Sequence, residues 1–330
     1  MWDFSVGKAL SAVIRTTPFI ILRLAVYLGI GVAYLFTIGV GALVGSGVGY
    51  VGSHAAAGAF WGGLVGFGVT SAILYLAREY ILYLVKAAHI AVLVEIYDGR
   101  PIPAGQKQIS YGAEFVKTHF AESSVLFGVD QIIKAVLRII TGTLNTITAF
   151  LPIPALQTAI RLFEAILRVS LTYVDELILA YLIRTRTTNP WASAQDALIL
   201  YAQNYKHFLK NAVWLAIFMW GLTLAIFLVL LGPAAGIAAI MPGHNGGIWV
   251  LAIAFIFAWA LKAAILEPFA LAALMQVFFK TIEGQTPDPV WSERLSTAST
   301  RFRELAGKAA GWAPKPASNT PPAGTQVSAT

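Results

Sequence analysis

The chain has 330 residues, of which 58% are hydrophobic and only 12% are charged, and its mean hydropathy is +0.72. Soluble globular proteins carry roughly a quarter of charged residues, so this composition excludes a soluble domain and indicates a protein of the bilayer. The net charge of +7 suits anionic lipid headgroups, and no basic cluster suggests a nucleic-acid partner. The absence of cysteine excludes disulfides and thiolate chemistry.

Residues 1–17 are expected to form a retained, amphipathic N-terminal segment. Trp2, Asp3 and Phe4 stand where a secretory signal would carry positive charge, and no small-residue cleavage site follows a short apolar core.

The stretch "GSGVGYVG" at 45–52 contains a G-x-G-x-x-G pattern, which in a soluble protein suggests a dinucleotide site. Here it lies inside a run without charge from 24 to 77, which is long enough for two membrane spans and a turn. Glycines recur in this run at four-residue spacing, at Gly41, Gly45, Gly49, Gly58, Gly62 and Gly66. Such spacing lets helix backbones approach closely in lipid, so we interpret these glycines as a helix-packing seam. The partner of the seam is either this chain or another copy.

Two further runs without charge cover 139–160 and 211–261. The second holds two apolar spans around an uncharged loop. The first is centred on "LPIPAL", where Pro152 and Pro154 break helix. The helical patterns on either side predict a middle hairpin over 122–184, which either crosses the bilayer fully or enters it as a re-entrant or interfacial pair.

The fold class predicted is therefore an all-α, polytopic integral membrane protein of three helical hairpins. It has six spans, or four spans plus the re-entrant or interfacial hairpin. Lys and Arg concentrate in the N-terminal segment, around 184–210 and in the C-terminal tail, so both termini are expected to be cytoplasmic, in a multi-pass protein of the cell (plasma or inner) membrane.

The transmembrane domain is expected over 18–284, with cytoplasmic-side helices at about 78–121 and 190–210. The first of these continues the second span, bent or broken near Arg78, until "YDGRPIPAG" ends it. An amphipathic helix over 285–310 either lies on the inner headgroups or packs against the protein. The tail 311–330 is predicted to be disordered.

Enzyme motifs are missing from the sequence. There is no Walker loop, no G-x-S-x-G and no H-E-x-x-H, and the five histidines lack metal-ligand spacing. We therefore expect a protein that is not an enzyme, with no cofactor, no metal site and no catalytic residues.

Ionisable residues within the hairpins are the candidates for function. Asp130, Lys134 and Arg138 share one helix face. A charge at membrane depth costs a few kcal/mol, so these side chains either form ion pairs or line a polar path. Glu267 precedes Pro268 and follows Lys262 by five residues; this pair is either interfacial or marks a local polar opening.

Aromatic side chains accompany several of these acids, and an aromatic face beside a carboxylate is what an organic cation site requires. The candidate substrate-binding residues are Asp130, Tyr173, Asp175, Glu176, Trp259 and Glu267.

Three stretches resemble the choline transporter-like family, and together with the helix "YVDELILAYLI" they are distributed over about half of the chain. They are "VLFGVDQIIKAVLRII" (125–140), "SAQDALILYAQN" (193–204) and "EPFALAALMQVFFKTIEG" (267–284). The chain departs from the family in lacking a large outer loop and the cysteine beside the Ser-Ala pair. The resemblance implies a transporter-like fold with choline or a related organic cation as substrate.

Two functions remain open on the sequence. One is a membrane transporter-like protein that binds or moves a small organic cation such as choline. The other is a structural subunit or scaffold that packs through the glycine seam. The partners expected are membrane lipids, a small organic solute, and a second copy or another membrane protein. A transporter predicts a cavity reached by the acids, whereas a scaffold predicts paired acids and a dry interior.

Overall fold

The structure is a computed structural model that describes residues 2–52, 54–105, 107–119, 128–131, 133, 173–239 and 246–313, without the side chains of 74–81, 119, 246 and 248–249. Every regular element in these ranges is helical, which confirms the all-α fold class. The greater part of the predicted middle hairpin and the tail after 313 lie outside the described residues.

Four helices precede the middle hairpin: α1 (Val6–Arg15), α2 (Thr17–Val51), α3 (Ala55–Tyr97) and α4 (Lys107–His119). Helix α5 (Val174–Thr185) is the described end of that hairpin, and six described helices follow it: α6 (Pro190–Gln203), α7 (Tyr205–Ala238), α8 (Gly246–Leu261), α9 (Glu267–Thr281), α10 (Pro289–Ala298) and α11 (Thr300–Ala310). A π-helical turn, Lys262–Leu266, joins α8 to α9.

Four described segments are long and apolar enough to cross a membrane: Thr17–Val51, Ala55–Ile73, Tyr205–Ala238 and Val250–Thr281. They form two antiparallel hairpins, α2 with α3 and α7 with α8 and α9. Gly31 faces Ile256 and Tyr27 packs edge-on against Trp259, so both hairpins have their turns on the same side. We call the opposite end the base of the bundle.

The glycine seam joins α2 to α3 within the chain. A Cβ added at Gly45 would collide with the carbonyl of Gly58, and one added at Gly41 would collide with that of Gly62. Gly66 approaches the backbone of Thr37 just as closely, and Gly49 approaches that of His54 somewhat less closely. The two backbones therefore touch along the seam, as small residues allow in a bilayer.

The main hydrophobic core lies at the base. It combines α1, the C-terminal part of α3, α4, α5, α6, the N-terminal part of α7, α9, α10 and α11. Helix α9 is buried on nearly every side, which is the pattern of a helix inside a protein. Toward the turns, by contrast, large apolar side chains such as Val48, Val229 and Phe255 are exposed, as expected for segments that face lipid.

Three helix boundaries differ from the expectations. Helix α3 is continuous through Arg78 to Tyr97, which excludes a break there and leaves the expected bend a prediction. The segment 190–210 is two helices separated at Asn204. The segment 285–310 is also two helices, because Ser299 leaves the helical conformation and its hydroxyl caps α11 at the N–H of Phe302. Leu295, Phe302 and Leu305 are buried against the protein, so this segment packs rather than lying free.

A charged cavity at the base of the spans

A cavity of about 230 Å³ lies where the spans meet the basal helices. Four carboxylates line it: Asp130, Asp175, Glu176 and Glu267. The remaining lining consists of three aromatic rings, one lysine and four aliphatic side chains: Tyr27, Tyr83, Trp259, Lys86, Leu82, Ile90, Leu179 and Ala263. Carboxylates and aromatic faces together form a lining that attracts positive charge.

Helix α5 supplies two of the acids. Asp175 and Glu176 lie in its first turn, where the positive end of the helix dipole favours negative side chains. Glu176 is nearly buried and accepts a hydrogen bond of 2.6 Å from the ammonium of Lys86 on α3. This ion pair links α3 to α5 across the cavity.

Glu267 is held by two cations. Its carboxylate oxygens lie 3.2 Å from the guanidinium of Arg23 on α2 and 3.2 Å from the ammonium of Lys262. The Arg23 side chain is only 3% exposed. Since a buried guanidinium stays charged, Arg23 and Glu267 fix α2 against the start of α9.

The π-helical turn places Glu267 beside Lys262. The N–H of Glu267 bonds to the carbonyl of Lys262, five residues earlier, instead of the carbonyl four residues earlier. Pro268 follows and has no N–H to donate, so the regular ladder is interrupted here. π-Helical turns occur frequently at functional sites. The helical hydrogen-bonding pattern therefore changes at the Glu267 and Pro268 pair, and this change is compatible with both an interfacial position and a local polar opening.

The structure brings the candidate substrate-binding residues together. Asp130, Asp175, Glu176, Trp259 and Glu267 all line the cavity. Tyr173 is buried just before α5 and is not among the described residues that line the cavity. Lys134 and Arg138, which share the face of Asp130 in the sequence, lie outside the described residues.

Sequence reasoning missed four residues of this site: Arg23, Tyr27, Tyr83 and Lys86. Arg23 is the last charged residue before the first long apolar run. That position could have suggested a buried partner for one of the acids. Lys86 lies on the basal extension of α3, where an isolated lysine resembles any interfacial residue. Only the packing of α3 against α5 reveals that it faces the cavity.

A second ionic cluster, farther along the base, ties α3 to α5. The buried Glu95 lies 2.9 Å from both Arg100 and Arg186, and Asp98 pairs with Arg100 at 2.8 Å and with Arg184 at 2.9 Å. Asp98 and Arg100 belong to the "DGR" turn that ends α3. Because these charges pair with one another, the turn has a structural role: it connects the end of α3 to α5.

A larger groove of about 760 Å³ lies between α1 and α9. Its charged lining is exposed and of both signs, with Lys8, Arg15 and Lys280 beside Asp3 and Glu283. The smaller cavity concentrates buried acids and aromatic rings, and its chemistry is therefore the more specific. Among the described residues, no group of three or more His, Asp or Glu side chains is arranged to hold a metal ion.

Comparison with known proteins gives no relative: no protein-family model, curated protein or solved structure matches this chain significantly.

Proposed function

We propose that this protein binds a small organic cation in the basal cavity and moves it across the membrane, with choline or a related quaternary amine as the candidate substrate. The observation that carries the proposal is the convergence of four carboxylates and three aromatic rings on one cavity. The resemblance of three sequence stretches to the choline transporter-like family points to the same substrate class.

The size of the cavity supports a small solute. Drug-sized ligands occupy pockets of about 300–1,000 Å³. The cavity here has about 230 Å³, and since one water takes about 30 Å³ in the liquid, it has room for on the order of seven waters. A small alkylammonium ion fits this volume.

The electrostatics of the cavity also support a cation. Taking an ion out of water is costly unless opposite charge compensates it. The carboxylates that line the cavity supply such opposite charge, which at Glu176 and Glu267 is now balanced by basic side chains of the protein itself. The rings of Tyr27, Tyr83 and Trp259 add negative faces without adding a second anion.

The proposed topology has six spans, with the middle hairpin crossing the bilayer and both termini in the cytoplasm. Basic residues at the base, including Arg23, Lys86 and Lys210, support this orientation. In this arrangement the cavity lies near the inner ends of the spans. The π-helical turn at Lys262–Leu266 is the element of the wall that can change its hydrogen bonding most readily.

The alternative is a structural subunit, and one observation favours it. Glu176 and Glu267 are both engaged in ion pairs, which is what a purely structural role requires. The glycine seam is occupied within the chain, however, so a scaffold would need another surface for its partners. Exposed apolar residues near the turns could serve either lipid or such a partner.

Binding of [³H]choline to the purified protein in nanodiscs, and its uptake into proteoliposomes, tests the proposal. We expect saturable binding that weakens about tenfold or more, a loss of at least about 1.4 kcal/mol, in at least one of Asp175→Asn, Glu176→Gln and Glu267→Gln. Glu304→Gln is the matched control, because Glu304 is exposed on α11.

Absence of saturable binding of choline and related quaternary amines would contradict the proposal and favour the structural subunit. Binding that survives all three cavity substitutions would place the site elsewhere in the protein.

A further inference from the structure

Glu176, one of the carboxylates of the cavity, already contacts an alkylammonium group that belongs to a lysine of the same protein. The ammonium of Lys86 lies 2.6 Å from Glu176, and both side chains line the cavity. Lys86 ends in a primary ammonium on a flexible four-carbon stem, which is the chemistry of a small organic cation attached by a tether.

The two ion pairs of the cavity differ in how readily they can be exchanged. Glu267 contacts two cations, and one of them, Arg23, is rigid, permanently charged and almost fully buried. The cation that Glu176 contacts is a lysine on a flexible stem, whose side chain is 32% exposed, so it is held less firmly than Arg23. Glu176 is therefore the carboxylate that can change its counter-ion.

A counter-ion is needed at Glu176 whenever the cavity holds no solute. The Glu176 side chain is only 9% exposed, and removal of the partner of a buried charge is strongly destabilising. A lysine near this carboxylate satisfies that need without filling the cavity permanently.

We propose that Lys86 is a tethered counter-cation that occupies the Glu176 position in the empty cavity, and that the organic cation replaces its ammonium when it binds. This inference rests on the proposed function and names the residue against which the substrate competes. It also assigns the substrate class: a monovalent alkylammonium ion whose charged head fits where the head of Lys86 lies.

Chemical rescue of Lys86→Ala tests this assignment. In this variant Glu176 loses the ammonium group that pairs with it, and the volume of the Lys86 side chain becomes free. We therefore expect a lower thermal midpoint than in the unaltered protein. Propylammonium, methylammonium and choline should raise the midpoint of the variant by more than that of the unaltered protein. Sodium chloride at the same concentration controls for ionic strength. Choline affinity should rise about tenfold, because its competitor has been removed.

Two further variants sharpen the experiment. Lys86→Ala with Glu176→Gln removes both charges, and rescue by alkylammonium ions should disappear. Lys210→Ala, which breaks the exposed pair with Asp3 outside the cavity, should show no rescue. If Lys86→Ala does not fold, the similarly long but uncharged Lys86→Met replaces it and should bind choline more tightly than the unaltered protein.

The outcomes separate this inference from the proposed function. Rescue of Lys86→Ala by alkylammonium ions supports the inference even if the unaltered protein binds no choline. The absence of choline binding would contradict only the transport proposal. Equal effects of alkylammonium ions on the variant and on the unaltered protein overturn the inference. Choline binding that is unchanged or weaker in Lys86→Ala, or in Lys86→Met where that variant replaces it, overturns the inference as well and leaves the proposed function standing.

Discussion

Replacement of Gly45 by alanine adds one methyl group at the closest approach of α2 and α3. The new Cβ would lie 2.9 Å from the carbonyl carbon of Gly58 and 2.9 Å from the Cα of Gly62, and closer still to the carbonyl oxygen of Gly58. Ordinary contacts at a Cβ begin near 3.4 Å. The obstructing atoms are backbone and cannot rotate away, so the two helices must separate by at least about half an ångström.

Separation of the helices loosens every other contact along the seam. Overpacking of this kind costs about 1–3 kcal/mol, and we expect Gly45→Ala to lose that much stability. Gly47→Ala is the matched control, because it lies two residues away on the same helix and a Cβ there meets nothing within 4 Å. Alanine is the better helix former by about 1 kcal/mol, so the control should be neutral or stabilised.

Thermal unfolding of the two purified variants in the same detergent measures the difference. We expect a clearly lower midpoint for Gly45→Ala and an unchanged or higher midpoint for Gly47→Ala. Equal midpoints would show that the seam tolerates a side chain, and the close approach of α2 and α3 would then be wrong.

Three other predictions follow from the structure. A cysteine introduced at Val51, which is exposed at the turn of the first hairpin, should react with an impermeant thiol reagent added outside intact cells. A cysteine at Thr297 on α10 should not react, and the reverse pattern would invert the proposed orientation. Burial lowers the pKa of His89, because the buried imidazole disfavours the charged form. The folded state therefore keeps its full stability above about pH 6.5 and loses stability as the pH falls below that value, where the unfolded chain takes up the proton. His89→Gln should therefore flatten the acid side of the stability profile, and an unchanged slope would contradict this role. Ser299→Ala removes the cap of α11 and should cost about 1 kcal/mol in the free energy of unfolding, measured by thermal or denaturant unfolding; no loss would mean that the hydrogen bond to Phe302 contributes nothing.

The helices of the spans were predictable from the sequence, because a run of apolar residues that is long enough to cross the bilayer is expected to cross it as a helix. Helix ends were less predictable. The break at Ser299 depends on a single capping hydroxyl inside a continuous amphipathic pattern, and the charged residues Arg78 and Glu79 do not end α3. Local patterns carry little information about either.

The composition of the site was partly predictable. The acids of the cavity stand out in the sequence, since charges are rare in a chain with 12% charged residues. Lys86 and Tyr83 do not stand out, because a lysine and a tyrosine are common at the ends of spans. Their position on the cavity wall follows from the face that α3 turns toward α5.

By itself the sequence determined the environment of this protein and the places where its helices can touch. Apolar runs require a bilayer, and glycines at four-residue spacing permit close backbone contact, whichever partner supplies the other backbone. The tertiary structure decided that Gly45 meets Gly58 within one chain, and that Glu176 and Glu267 share a cavity although they are separated by 91 residues in the sequence. Spacing along one helix is a local property, whereas the pairing of charges on different helices depends on how those helices pack.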